Sequence, residues 1–114
     1  STAASLHQRF EALLQRHGLE YAVEWQLGGE PFLTRPGSLC DALVAAVEAE
    51  FGLRPVLSTT GGTSDGRFLA TWCQQVMEFG VRNASAHQVD EWVDVDAIEP
   101  LARVYQRTLQ ALLA

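Results

Sequence analysis

The residues best equipped for chemistry lie in one loop, Gly61-Gly62-Thr63-Ser64-Asp65-Gly66-Arg67. Adjacent Gly residues let the backbone turn tightly and approach a ligand, and Ser64 or Asp65 can cap a helix that follows. Free amides at such a helix start, with the Thr63 hydroxyl and the Arg67 guanidinium, suit a carboxylate or a phosphate. The same pattern also describes an ordinary strand–turn–helix corner. It is not a phosphate-binding Walker loop, because the required Lys is absent.

A second candidate is His87, set in the small-residue stretch NASAH and followed by Asp90 and Glu91. An imidazole on a polar loop can ligate a metal while a nearby carboxylate orients its other nitrogen. A lone His without HxxxH or CxxC company is more often a solvated surface residue. His7 lies off the apolar stripe of the first helix, and His17 ends that helix, where a cation complements the dipole. Cys40 and Cys73 read as small apolar packers. Asp90, Glu91, Asp94, Asp96 and Glu99 could bind a hard cation, although a solvated acidic turn at a helix N-terminus explains them more simply. Trp25, Trp72 and Trp92 each sit in apolar surroundings and are expected to pack.

Composition narrows the partners. The 114 residues are 47% hydrophobic and 19% charged, which excludes a disordered chain and limits it to one domain or pieces of two. Fourteen acids against eight bases give a formal charge of -6, a field that repels phosphate backbones, so no nucleic-acid partner is expected. Every base is Arg, which excludes a Lys nucleophile or Schiff base. Two Cys are too few for a disulfide framework or a thiolate zinc site. No apolar run approaches the ~20 residues that cross a bilayer and no leader pattern opens the chain, so the expectation is an intracellular, cytoplasmic protein without a membrane partner.

The elements that must hold these loops follow from periodicity. Leu6, Phe10, Leu13 and Leu14 form one helical stripe over Ser1 to His17, with Gly18 as its C-terminal stop. Glu20 to Leu27 alternates strictly, with Tyr21, Val23, Trp25 and Leu27 on one face, and predicts a strand with one wet side. Gly28 to Gly37 reads as a connector. Ser38 and Asp41 form a capping box for a helix carrying Leu39, Leu43, Val47 and Phe51 and stopped by Gly52. Pro55 to Ser58 and Val76 to Phe79 are short apolar runs of the type found in strands buried on both faces. Asp96 to Leu113 is a helix with Ile98, Leu101, Tyr105, Leu109 and Leu112 on one side and Asp96 and Glu99 in its first turn. The prediction is an α/β chain divided near Glu30, with neither part a complete sheet.

In order along the chain, GEPFLT (29–34), TTGGTSDGRF (59–68), NASAHQVDEWV (83–93) and LARVYQRTLQALL (101–113) closely resemble the C-terminal third of the succinyl-diaminopimelate desuccinylases. That family is a branch of the dinuclear zinc aminoacylase and carboxypeptidase superfamily. The resemblance covers nearly the whole chain, and GGTSDGRF is the string that marks the branch. It implies that residues 1–30 belong to a lid that also forms a homodimer, and residues 31–114 to the C-terminal part of a zinc-hydrolase catalytic domain. It further implies that His87 is a zinc ligand and that Thr63, Asn83, Arg67 and the backbone of Gly62 contact substrate. Two zinc ions, or cobalt, would serve each full-length subunit in hydrolysing N-succinyl-LL-2,6-diaminopimelate to succinate and LL-2,6-diaminopimelate. The remaining ligands and the Glu general base match no position here, so the resemblance implies no catalytic residue in this chain. Two alternatives stand beside this reading: another N-acyl amino-acid deacylase such as an acetylornithine deacetylase, and a non-catalytic binding or assembly module that keeps this part of the fold.

Overall fold

The computed structural model describes residues 2–114; Ser1, the expected first helical residue, lies outside the described residues. The first helix, α1, runs Ala3–Arg16 and is opened by a reciprocal box between Thr2 and Ser5, whose side chains each accept from the other's backbone amide. Its apolar stripe is not buried against another helix. Trp25 folds back on it instead, stacked on His7 at 3.9 Å, edge-on to Phe10 at 5.6 Å, and donating from Nε1 to Glu11 Oε1 at 2.8 Å. Leu6, Phe10 and Leu13 remain about half exposed.

Helix α2 (Ser38–Phe51) and helix α4 (Ile98–Leu113) supply the core. Cys40, Leu43, Ala46 and Val47 recur at helical spacing on one buried face of α2, and the last three meet Val104 of α4, whose side chain is fully buried. Met77 and Phe79 lean on this cluster from the connecting chain, and the Tyr105 hydroxyl donates to the Phe79 carbonyl. Beside the apolar contact, Glu50 accepts from Arg103 Nε at 2.7 Å and from Arg107 Nε at 2.5 Å, with its own side chain only 7% exposed. Helix α3 is a single turn, Gly66–Leu69.

Several expectations are corrected by this arrangement. Among the described residues there is no strand: Glu20 to Leu27, Pro55 to Ser58 and Val76 to Phe79 carry no regular secondary structure. The α/β expectation thus holds only for the helices of this chain. A strand exists only through ladder partners, and no two of these segments pair here. The inward face of α4 is Val104 and Thr108 rather than the Ile98, Tyr105 and Leu109 stripe, which stays half exposed. Helix α2 has no Ser38–Asp41 box; Ser38 is already helical, and Gln75 Oε1 accepts from the Leu39 amide at 3.1 Å. The α4 entrance is capped by Asp94, which accepts from the Asp96 amide at 3.1 Å ahead of a 3-10 turn, Val95–Ala97. Trp72 is 90% exposed rather than packed, and Cys73 is exposed where Cys40 is buried as expected.

The chain is open in shape. Its Cα radius of gyration is 18.8 Å, against about 13 Å for a compact domain of this length. Its accessible surface is 9490 Å², half as much again as the roughly 6,200 Å² of a folded monomer of this mass. No helix among the described residues is long and apolar enough to cross a membrane.

Hydrogen bonds from Arg103 and then Arg107 hold the Glu50 carboxyl below its ordinary value of 4.5, against burial that pushes it up. A depressed carboxyl contributes stability that is full above its unfolded value and lost as pH falls through its folded one. The α2–α4 contact is therefore expected to weaken as pH drops below about 4.5, and Glu50→Gln to remove much of that dependence. Helix unfolding followed by circular dichroism from pH 7 to pH 3 checks this; equal acid sensitivity in both proteins would contradict it.

Candidate functional site

The first loop is built by side chains that bond backbone. Gly61 takes φ 133, a conformation closed to other residues, and releases the chain into Gly62 and Thr63, both exposed. Ser64 then turns inward. Its hydroxyl donates to Glu78 and accepts from the Gly66 amide at 3.0 Å. Asp65, at the start of α3, makes no cap, and with Gly66 already bonded to Ser64 the turn is no anion site of its own. Glu78 thereby anchors the Thr63 loop to the 76–79 segment. That segment is tied in turn to Thr34, whose hydroxyl accepts from the Val76 amide at 3.0 Å and donates to the Val76 carbonyl at 2.5 Å.

Arg67 projects from α3 across the backbone of residues 28 and 29. A Cβ at Gly29 would fall 2.5 Å from Arg67 Cδ, so the absence of a side chain there is what lets the arginine lie flat. Its guanidinium carbon stands 4.7 Å from the Phe68 ring centroid. Arg67 Nε is buried and has no hydrogen-bond partner. Buried donors are nearly always paired, so an orphaned guanidinium nitrogen marks a place for an acceptor not supplied by the described residues.

The second loop carries Asn83 and His87. The Ala86 amide donates to the Asn83 carbonyl and the Gln88 amide to the Ser85 carbonyl, each at 3.1 Å. Ser85 Oγ bonds both the amide and the carbonyl of Trp92. His87 is exposed and takes φ 63, an unusual value for a residue with a Cβ. The bonds that close this loop run through Ser85, Gln88, Ala84 and Trp92 and leave the His87 ring out. Asp90, also at positive φ, and Glu91 are exposed, and among the described residues neither carboxylate hydrogen-bonds the His87 ring. Thr63 and Asn83, the two polar side chains expected to hold substrate, share no hydrogen bond among the described residues.

Residues 4–111 match the profile of peptidase family M20/M25/M40. The chain belongs to this family. A succinyl-diaminopimelate desuccinylase of Leptothrix cholodnii is 62% identical over 114 residues, the whole of this chain and 30% of that protein. Those of Bordetella avium and Cupriavidus necator are both 59% identical, over 113 and 114 residues, again about 30% of their lengths. The chain thus spans about 30% of the curated relatives it matches. These similarities bear out the resemblance read from the GGTSDGRF and NASAHQVDEWV strings.

The donor set of this M20 chain fits one coordination position rather than a complete metal centre. Among the described residues no three His, Cys, Asp or Glu side chains gather closely enough to hold an ion. Among the described residues the exposed His87 imidazole makes no hydrogen bond, which leaves its nitrogens open to a ligand. Ser64, expected as a candidate cap, does accept from the Gly66 amide; periodicity gave no warning of Glu78 and Ser85, although the lone acid within the apolar run VMEF and the lone hydroxyl within NASAH are the signals that could have done so.

Ser64→Ala is expected to loosen the Thr63 loop by removing two bonds at once. Exchange of the Gly66 amide should rise about tenfold, the equivalent of one net hydrogen bond. Mass-resolved hydrogen exchange measures this, and an unchanged rate would show that Glu78 does not anchor the loop.

Proposed function

We propose that the chain is the C-terminal part of a succinyl-diaminopimelate desuccinylase and contributes one metal ligand and an anion anchor to its active site. The reaction is hydrolysis of the amide in N-succinyl-LL-2,6-diaminopimelate. Water adds at the succinyl carbonyl, the carbon–nitrogen bond breaks, and the products are succinate and LL-2,6-diaminopimelate. The observation that carries this reading is the 57–62% identity, over all or nearly all of this chain, to proteins bearing that name.

His87 presents its exposed imidazole as a ligand to one of two zinc or cobalt ions. Metal bound there supplies Lewis acidity and an acidified water at neutral pH. Arg67 holds a substrate carboxylate, its buried Nε acquiring the acceptor it lacks, while Phe68 and the backbone of residues 28 and 29 fix the plane of the guanidinium. Thr63, Asn83 and the backbone of Gly62 complete the contacts to the carboxylate-bearing ends. The net charge of -6 makes such local positive potential necessary for an anionic substrate.

Residues 1–30 belong to a lid that pairs two subunits, and residues 31–114 to the catalytic domain. The extended segments 20–27, 55–58 and 76–79 become strands of α/β sheets completed by the remainder of the enzyme. The large exposed surface and the apolar groove of Leu6, Phe10, Leu13 and Trp25 support this division. The enzyme works in the cytoplasm on a small molecule.

In the full-length enzyme, wild-type protein should hydrolyse N-succinyl-diaminopimelate, and Arg67→Ala should raise KM about 10- to 150-fold with kcat little changed. A charged hydrogen bond contributes ~1.5–3 kcal/mol, in ground state and transition state alike. Steady-state kinetics decides: no hydrolysis by the wild type overturns the assignment, and a fall in kcat at constant KM moves Arg67 from binding to transition-state stabilisation.

A further inference from the structure

Among the described residues two polar side chains are buried, Ser85 and Thr108, and Ser85 is the deeper at 4% exposed. The other, Thr108, spends its hydroxyl within its own helix on the Val104 carbonyl. Ser85 reaches across seven residues. Its Oγ donates to the Trp92 carbonyl at 2.6 Å and accepts from the Trp92 amide at 3.1 Å. In an antiparallel ladder two peptides exchange such a pair of bonds. Here a single side-chain oxygen satisfies both backbone groups of one residue, so residues 85 to 92 are closed into a ring.

Two non-glycine residues inside that ring have positive φ, His87 at 63 and Asp90 at 60. An L-residue leaves this region unless its surroundings hold it there. The other bonds of the loop span three or four residues and would survive a change in its span. The Gln88 amide bond to the Ser85 carbonyl spans His87 closely, and among the described residues the Ser85–Trp92 pair is what ties the two ends of the longer segment 85–92 together. Backbone φ at His87 sets the direction of its Cα–Cβ bond, and with it the place the imidazole can reach.

We propose that Ser85 is a positioning residue for His87: by clamping the Trp92 peptide it holds the His87 backbone in the left-handed conformation that presents the imidazole to the metal. The proposal rests on the assignment of His87 as a metal ligand. Ser85 touches neither metal nor substrate. It removes conformational freedom that binding would otherwise have to freeze, as residues that orient metal-ligating histidines do.

A double-mutant cycle in the full-length enzyme tests this, with Ser85→Ala, His87→Ala and the double variant compared against wild type. The metal-free proteins are titrated with zinc against a chromophoric chelator, and exchange of the Trp92 amide is followed in the same samples. Ser85→Ala is expected to weaken zinc binding about 10- to 100-fold, the range found when partners that orient a ligand are removed. It should also accelerate Trp92 exchange before any metal is added. On the His87→Ala background the Ser85 substitution should cost no further affinity, because its effect passes through the imidazole. Equal losses on both backgrounds, or wild-type affinity in Ser85→Ala while His87→Ala loses zinc, would overturn the proposal and leave His87 a ligand. A Ser85→Ala enzyme that no longer folds, by circular dichroism, would make the hydroxyl a general stabiliser and also overturn it. Unchanged zinc binding in His87→Ala would instead remove the ligand assignment itself.

Discussion

Val104 is the side chain on which the rest of the chain depends. Among the described residues it is the largest fully buried side chain, and around it Leu43, Ala46 and Val47 of α2 close onto α4. The two helices are separated by almost fifty residues that make no helix longer than one turn. Their contact is what brings the ends of that long excursion together. Glu50 reinforces it from the side with two guanidinium partners, and a carboxylate this well covered would be costly without them. The excursion contains both loops with chemical potential. A small apolar contact therefore carries the placement of the Thr63 and His87 loops.

Within the excursion, order comes from side chains that bond the backbone. Thr34 bonds the amide and carbonyl of Val76, Ser85 bonds those of Trp92, Gln75 caps α2, and Ser64 joins Gly66 to Glu78. A hydroxyl can donate and accept at once, so one Ser or Thr stands in for a rung of a sheet ladder. Loops fixed this way keep their shape without a sheet behind them. They also leave the apolar run 55–58 largely exposed and the amides of 77–79 without ladder partners, which is how an M20 chain spanning about 30% of its relatives comes to expose so much surface. Arg67 follows the same logic at the level of one atom, since its Nε is buried ahead of any acceptor.

The helices were legible because their signal is local. The spacings of Leu6 to Leu14 and Leu39 to Phe51 marked α1 and α2 within a residue or two, and the stops at Gly18 and Gly52 both take positive φ. The strands were not, because alternation such as Tyr21, Val23, Trp25 and Leu27 states what a neighbouring strand would bury and cannot supply the neighbour. Caps failed for a related reason: Gln75 reaches Leu39 from thirty-six positions away, beyond any spacing rule. At the site, residue types identified the loops and the family, while Ser85 looked like filler among small residues. Its role exists only once Trp92 has folded back beside it.

If the α2–α4 contact is the one ordered core and the remaining segments await cover, hydrogen exchange on the isolated 114-residue chain should show it directly. Protection is expected in Leu43 to Val47 and Val104 to Thr108, with the amides of Val56 to Ser58 and Met77 to Phe79 exchanging nearly as fast as an unfolded chain. Protection of those two segments as strong as that of α2 and α4, in a monomer, would mean that they already pair within this chain and would contradict the dependence on further polypeptide.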